Sequence, residues 1–144
     1  MIGPPAVVVR RAAAAVVLSL IAAAVRRSVH RVEVVGSSMV PALQPGDRLV
    51  VVGAPWSPPP WPSPGQIIAL TDPREPSRIL VKRVGAIHVR DGTLEVAGDR
   101  PEASTDSRTF GPVPRSSIVG RVVFRYGPPA RRGTLHRSGE YHRA

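Results

Sequence analysis

Between residues 31 and 126 the chain is written in short apolar runs separated by turn residues. 31-RVEVV-35 alternates apolar and polar positions, 48-RLVVV-52 follows the turn 44-QPGD-47, and 66-QIIAL-70 follows a second Pro-Gly step. Side chains alternate across a strand, so each run reads as a strand with one face inward. The polar stretch 71-TDPREPS-77 reads as a loop. After it come 78-RILVKRV-84, then 87-IHVR-90, the turn Asp91-Gly92 and 93-TLEVA-97, a hairpin signal. 118-IVGRVVFRY-126 is expected to be the last strand. The pattern predicts a mostly β domain, a barrel or folded sheet, preceded by a hydrophobic helix.

That helix is expected over 12-AAAAVVLSLIAAAV-25, an uncharged run bounded by Arg10-Arg11 and Arg26-Arg27. At about 1.5 Å per residue it spans only ~21 Å, short of a ~30 Å hydrocarbon core, unless 7-VVV-9 and snorkelling arginines extend it. An uncleaved membrane anchor is favoured. A cleaved signal peptide, a peripheral amphipathic helix and a soluble helix packed on the domain remain alternatives. Arginines flank both ends, so charge does not orient it. The organisation expected is an anchor over 1–31, a β domain over 32–127 and a disordered basic tail over 128–144.

The segment 54-APWSPPPWPSPG-65 is too rich in proline for a central strand and reads as an extended loop. Trp56 and Trp61 within it either seat at a membrane interface or cover one end of the barrel. The 17 Pro and 13 Gly agree with strands joined by turns. No cysteine is present, which excludes disulfides and thiolate metal sites, and His30, His88, His136 and His142 lack metal-ligand spacing. No metal or cofactor is expected. A net charge of +10 suits an anionic partner, but the basic residues are spread along the chain and few aromatics could stack on bases, so no specific nucleic-acid partner is expected.

Of the 20 basic residues, only Lys82 is lysine. Arginine stays protonated, whereas a buried lysine can lose its proton near neutral pH. In 79-ILVKRV-84 alternation puts Leu80, Lys82 and Val84 on one face and Ile79, Val81 and Arg83 on the other. If the first face is the core, the Lys82 ammonium is desolvated and its neutral amine can serve as a general base. A matching nucleophile is available in 35-VGSSMVPAL-43, which offers Ser37 and Ser38. A Ser-His-Asp triad fits poorly, because the glycine pattern and strand-turn-helix context of a nucleophile elbow are missing and His88 reads as solvent-facing.

The segments 36-GSSMVPAL-43, 46-GD-47, 81-VKRVG-85, 98-GDRPEASTDSRTFGPVP-114 and 119-VGRV-122 together resemble the ordered sequence boxes of the type I signal peptidase family, over about residues 33–126. The resemblance implies a signal-peptidase-like catalytic β-barrel in which a Ser/Lys dyad cleaves after small residues. It assigns the nucleophile to Ser38, the base to Lys82 and the lysine-orienting hydroxyl to Ser104, and leaves Ser37 dispensable. Met39, Pro41, Gly46, Asp47, Arg83, Gly98, Asp99, Asp106, Ser107 and Arg108 are implied to be structural residues around the site. The chain departs from better-known bacterial members at Gly36, where some carry a serine that completes the oxyanion hole, and at Ala42 and Arg100. Oxyanion donation is then assigned to backbone, Ser38 N–H with Gly36 nearby.

The function implied is a membrane-anchored serine endopeptidase processing signal peptides or propeptides in extended conformation, at Ala-x-Ala-like sites and through an acyl-enzyme. The expected location is the plasma membrane, with a single N-terminal anchor and an exoplasmic domain. Other readings are a dedicated maturation protease for one precursor, such as a metalloenzyme propeptide, acting from the cytoplasm, and a repressor-type Ser/Lys autoprotease. From a different class comes a non-catalytic basic β-barrel that binds membranes or nucleic acid.

Overall fold

The structure is a computed structural model and describes residues 6–135. The first element, α1 (Ala6–Ser28), is longer than the uncharged run, because alanine and leucine favour helix and arginine tolerates it. Residues 8–28 form a helix long and apolar enough to cross a membrane; its apolar stretch is not buried against the domain, and only Ser28 at its end is, where the chain enters the sheet. The alternative of a soluble helix docked on the barrel is therefore not what the fold shows.

The chain leaves α1 directly into β1 (Val29–Glu33), two residues earlier than the alternation predicts. The Gly53 N–H donates to the Ser28 carbonyl at 2.6 Å and draws the strand start up to the helix end. Beyond Glu33, Val34 and Asp47 stay tied, Val34 N–H to the Asp47 carbonyl at 2.8 Å. There follow β2 (Arg48–Val52), β3 (Ile67–Asp72), β4 (Glu75–His88), β5 (Thr93–Ala97), a one-turn helix α2 (Ser107–Phe110), β6 (Val113–Pro114), β7 (Ile118–Gly127) and β8 (Gly133–Thr134). They form one antiparallel sheet in the order β1-β2-β7-β3-β4-β5-β6, with β8 on β7.

Three local expectations change. The loop expected over 71–77 is a tight hairpin: Asp72 accepts from the Arg74 N–H at 2.9 Å and from its guanidinium at 2.7 and 3.0 Å, which closes the turn at Pro73-Arg74. The two strands expected over 78–84 and 87–90 are one strand, β4. The register slips between Val84 and Ile87, so Gly85-Ala86 holds a β-bulge and the second run ends in a 3-10 turn at Val89–Asp91. The tail expected to be disordered from residue 128 carries a 3-10 turn at Pro129–Arg131 and strand β8; residues 136–144 of that tail, with His136 and His142, lie outside the described residues.

The core explains why 67-IIAL-70 is apolar without alternation. Its strand is buried on both faces. One face, Ile67 and Ala69, packs with Val34, Met39, Leu43, Leu49, Val51 and Val122. The other, Ile68 and Leu70, packs with Leu80, Val84, Leu94, Val96, Val113 and Ile118, joined by half-buried Trp61. Arg115 lies over the Trp61 ring, 4.8 Å from its centroid, so this indole covers the second core, while Trp56 is exposed. Truncating a fully buried leucine such as Leu43 to alanine in either cluster costs on the order of 2–5 kcal/mol.

Candidate active site

The two cores meet where Ser38 faces Lys82. Ser38 opens a turn pinned from below by its neighbours: the Met39 and Leu43 side chains are buried in the first core, and Leu43 N–H donates to the Met39 carbonyl at 2.8 Å. Lys82 belongs to the second core through its strand-mates Leu80 and Val84. The condition set by the sequence is met: the face that carries Leu80, Lys82 and Val84 is inward, and Lys82 is only 4% exposed. Arg83 points the opposite way.

Lys82 Nζ lies 2.9 Å from Ser38 Oγ and 3.0 Å from Ser104 Oγ. Ser104 Oγ in turn donates to Asp106 Oδ2 at 2.5 Å, so its proton is committed there and a lone pair remains for the amine. Asp106 is fully buried and caps α2. It accepts from Gly98 N–H at 2.8 Å, and from Arg108 backbone N–H at 3.2 Å and its guanidinium at 2.9 and 2.5 Å. Burial alone would raise its pKa, but these bonds and the Ser104 hydroxyl outweigh it and hold the carboxyl well below the usual carboxylate range. Ser107 adds a clamp, its Oγ accepting from Val96 N–H at 2.8 Å.

Gly98 is required by proximity. A Cβ there would collide with Ser104 Oγ and lie 2.6 Å from the Ser38 carbonyl. That carbonyl accepts from Arg100 N–H at 2.8 Å, a contact between the two segments that carries no local sequence signal.

No carboxylate forms an ion pair with Lys82 among the described residues. Burial pushes its pKa below the ordinary lysine value; the charge of Asp106 opposes this, and the guanidinium groups of Arg78, Arg108 and Arg74 reinforce it. The arrangement is a desolvated amine between two hydroxyls.

The remaining residues named from the sequence stand around this centre. Arg83 and Asp99 form a two-pronged pair at 2.7 Å per contact, and Arg83 also donates to the Gly65 carbonyl at 2.8 Å. Gly46, at φ +89°, makes the turn before Asp47. Asp47 is buried and sits at the far end of the Ser38 loop, away from the amine. It accepts from Gln44 N–H at 2.9 Å, from Arg131 at 2.9 and 3.0 Å and from Arg125 at 3.2 Å. Arg125 also donates to the Ala42 carbonyl at 3.1 Å. These two arginines were not legible as site residues, because they reach Asp47 from 78 and 84 positions away. Pro41 is exposed on the turn, and Gly36 is exposed with nothing within 4 Å of where a side chain would begin. His88 pairs with Glu95 at 3.1 Å and takes no part.

Comparison with known proteins points to one family. The family model described as "Signal peptidase, peptidase S26" matches residues 8–88 and 85–127. The mitochondrial ATP-independent inner membrane protease subunit 1a of Arabidopsis thaliana is 33% identical over 91 residues, covering 49% of this chain and 54% of that protein. Subunit 1b of the same organism is 31% identical over 113 residues, covering 65% of this chain and 67% of the relative. The thylakoidal processing peptidase 1 of the same plant is 49% identical over 43 residues, 30% of this chain and 13% of its own length. The alignments thus span between about an eighth and two thirds of these relatives. With the family match running through the N-terminal helix and the sheet alike, this chain belongs to the signal peptidase family, peptidase S26.

Proposed function

We propose that this protein is a membrane-anchored serine endopeptidase that cleaves signal peptides or propeptides with a Ser38/Lys82 dyad. The observation that carries this is the 2.9 Å approach of a buried, carboxylate-free Lys82 amine to Ser38 Oγ. A neutral amine donates one N–H to Ser104 and turns its lone pair to the Ser38 hydroxyl. Ser38 attacks the scissile carbonyl as its proton passes to Lys82. The tetrahedral oxyanion is met by backbone, chiefly the Ser38 N–H, which has no acceptor among the described residues. Lys82 then protonates the leaving amine, and water, activated by the same amine, hydrolyses the acyl-enzyme.

The substrate adds as an extended strand to the second edge of β4. Residues 79–82 pair with β3 on one side, while β5 begins to pair only at Arg83, so the other edge is open beside the dyad. In this reading residues 8–28 span the plasma membrane and the domain is exoplasmic. Protease accessibility in sealed vesicles checks the sidedness; a protected domain on the cytoplasmic side favours the dedicated maturation protease.

The test is cleavage of a peptide carrying an Ala-x-Ala site by the full chain in detergent. Ser38→Ala is expected to lower turnover by at least about 10³-fold, the loss typical of removing a nucleophile. Turnover by Ser38→Ala equal to wild type sinks the peptidase reading and returns the basic β-barrel reading to the front.

A further inference from the structure

Three cations other than Lys82 lower the amine's pKa by their charge: Arg78, Arg108 and Arg74. Two are already engaged, Arg108 with Asp106 and Arg74 with Asp72, the latter also lying 5.6 Å from the Phe110 ring centroid. Arg78 is different. It is exposed and makes no hydrogen bond or ion pair with any described residue, although its charge reaches both Lys82 and Asp72.

Its position is set by the β3–β4 register. The pairing jumps from Thr71–Ile79 to Asp72–Glu75, so residues 76–78 stand out from the ladder at the end of the open edge. β4 continues back through residue 78, and extending the alternation of the paired residues 79–82 by one position brings Arg78 to the Lys82 side, in keeping with the reach of its charge to that amine. Four residues at about 3.3 Å each separate them by ~13 Å. A strand lying on that edge, with its scissile carbonyl at Ser38, carries a side chain past Arg78 about four residues from the cleaved bond. A guanidinium at such a place matches a carboxylate.

We propose that Arg78 is a specificity residue that selects substrates bearing an acidic side chain about four residues to one side of the scissile bond. The inference rests on the peptidase reading and on strand addition at β4. It gives the substrate class one property beyond a small residue at the cleavage point.

The test is a peptide series around one Ala-x-Ala site, with Glu or Gln placed in turn at each of about six positions on either side, cleaved by the full chain in detergent. The ratio of kcat/KM for the Glu and Gln peptides is read within each protein, so a general loss of activity cancels. Wild type is expected to show a ratio of about 2–5 at one position three to five residues from the bond, the size of an exposed ion pair, falling as salt is added. Arg78→Gln brings the ratio to unity, and Arg78→Glu inverts it in favour of a Lys peptide. A flat series in wild type overturns the proposal. So does a ratio that survives in Arg78→Gln, since the preference then belongs to another cation. Failure of the peptidase reading shows separately, as no cleavage of any peptide; the same comparison is then made on peptide affinity by fluorescence polarisation, and equal affinities for Glu and Gln peptides overturn the proposal equally.

Discussion

Lys82 and Arg83 are consecutive residues of one strand, both almost wholly buried, and the fold treats them in opposite ways. Arg83 receives a carboxylate, Asp99, on two prongs and a carbonyl from Gly65. Lys82 receives two hydroxyls, with its nearest carboxylate, Asp106, held one hydroxyl further away. A guanidinium cannot shed its proton, so burying one demands a counter-charge. An ammonium can shed its proton, and an environment of neutral oxygens favours that outcome. The difference separates a cation used as scaffold from one whose charge can be removed on demand.

Exchanging the side chains tests this most severely. Lys82→Arg keeps a cation but removes the proposed base, and turnover is expected to fall by about 10³-fold or more in a cleavage assay, comparable to loss of a triad member. Since a guanidinium could also crowd the second core, Lys82→Met serves as a companion of similar volume that must be equally inactive. Wild-type-like turnover by either would falsify the dyad. On the other face, Asp99→Ala leaves Arg83 buried without its counter-charge. Breaking such a pair costs about 3–5 kcal/mol, here toward the lower end because Asp99 is 18% exposed, read as a lower midpoint in urea unfolding. An unchanged midpoint would remove the scaffold role.

How much of this was legible without coordinates follows from what each residue's signal depends on. That Lys82 shares a face with Leu80 and Val84 follows from alternation in 79-ILVKRV-84, because strand geometry forces residues two apart onto one face; that this face is inward does not, since Arg83 on the opposite face is just as buried. That Ser38 rather than Ser37 faces it depends on a turn pinned by Met39 and Leu43, which no period encodes; here the ordered boxes supplied what pattern could not. Asp106 illustrates the same limit, since its partners Gly98, Ser104 and Arg108 are near in sequence but their convergence on one carboxylate is a property of α2 and its cap. The order found at 128–135 had no local signal at all. It follows from Arg131 reaching Asp47 across the fold, and a polar basic segment looks the same in sequence whether or not a buried carboxylate awaits it.

The two cations also differ in how their neighbourhoods respond to pH. Burial lowers the Lys82 pKa, so between that lowered value and the ordinary lysine value the unfolded chain binds a proton that the native chain does not. The native state is therefore penalised below the lowered pKa, and stability gained from Lys82 rises with pH through that window. Lys82→Met removes the penalty: its thermal midpoint is expected above wild type at neutral pH, with the gap narrowing as the pH approaches 10. A gap of opposite sign, or one independent of pH, breaks the desolvation account. Turnover carries the same sign, rising from acid pH as the amine deprotonates, while Asp106, held well below the carboxylate range, stays ionised throughout.

The smallest effect is expected at another adjacent pair, Ser37 and Ser38, which repeats the contrast with hydroxyls in place of cations. Ser37 is half-buried, and its hydroxyl makes no hydrogen bond among the described residues; only its carbonyl is used, accepting from Val40 N–H at 3.2 Å. Ser37→Ala keeps that carbonyl and removes a hydroxyl with no partner to lose. Its stability is expected within about 0.5 kcal/mol of wild type, as for a substitution away from any buried polar contact, and its turnover within about two-fold. A loss at Ser37 approaching that at Ser38 would mean that the turn presents either hydroxyl to Lys82, and the distinction between neighbours would then fail here while holding at Lys82 and Arg83.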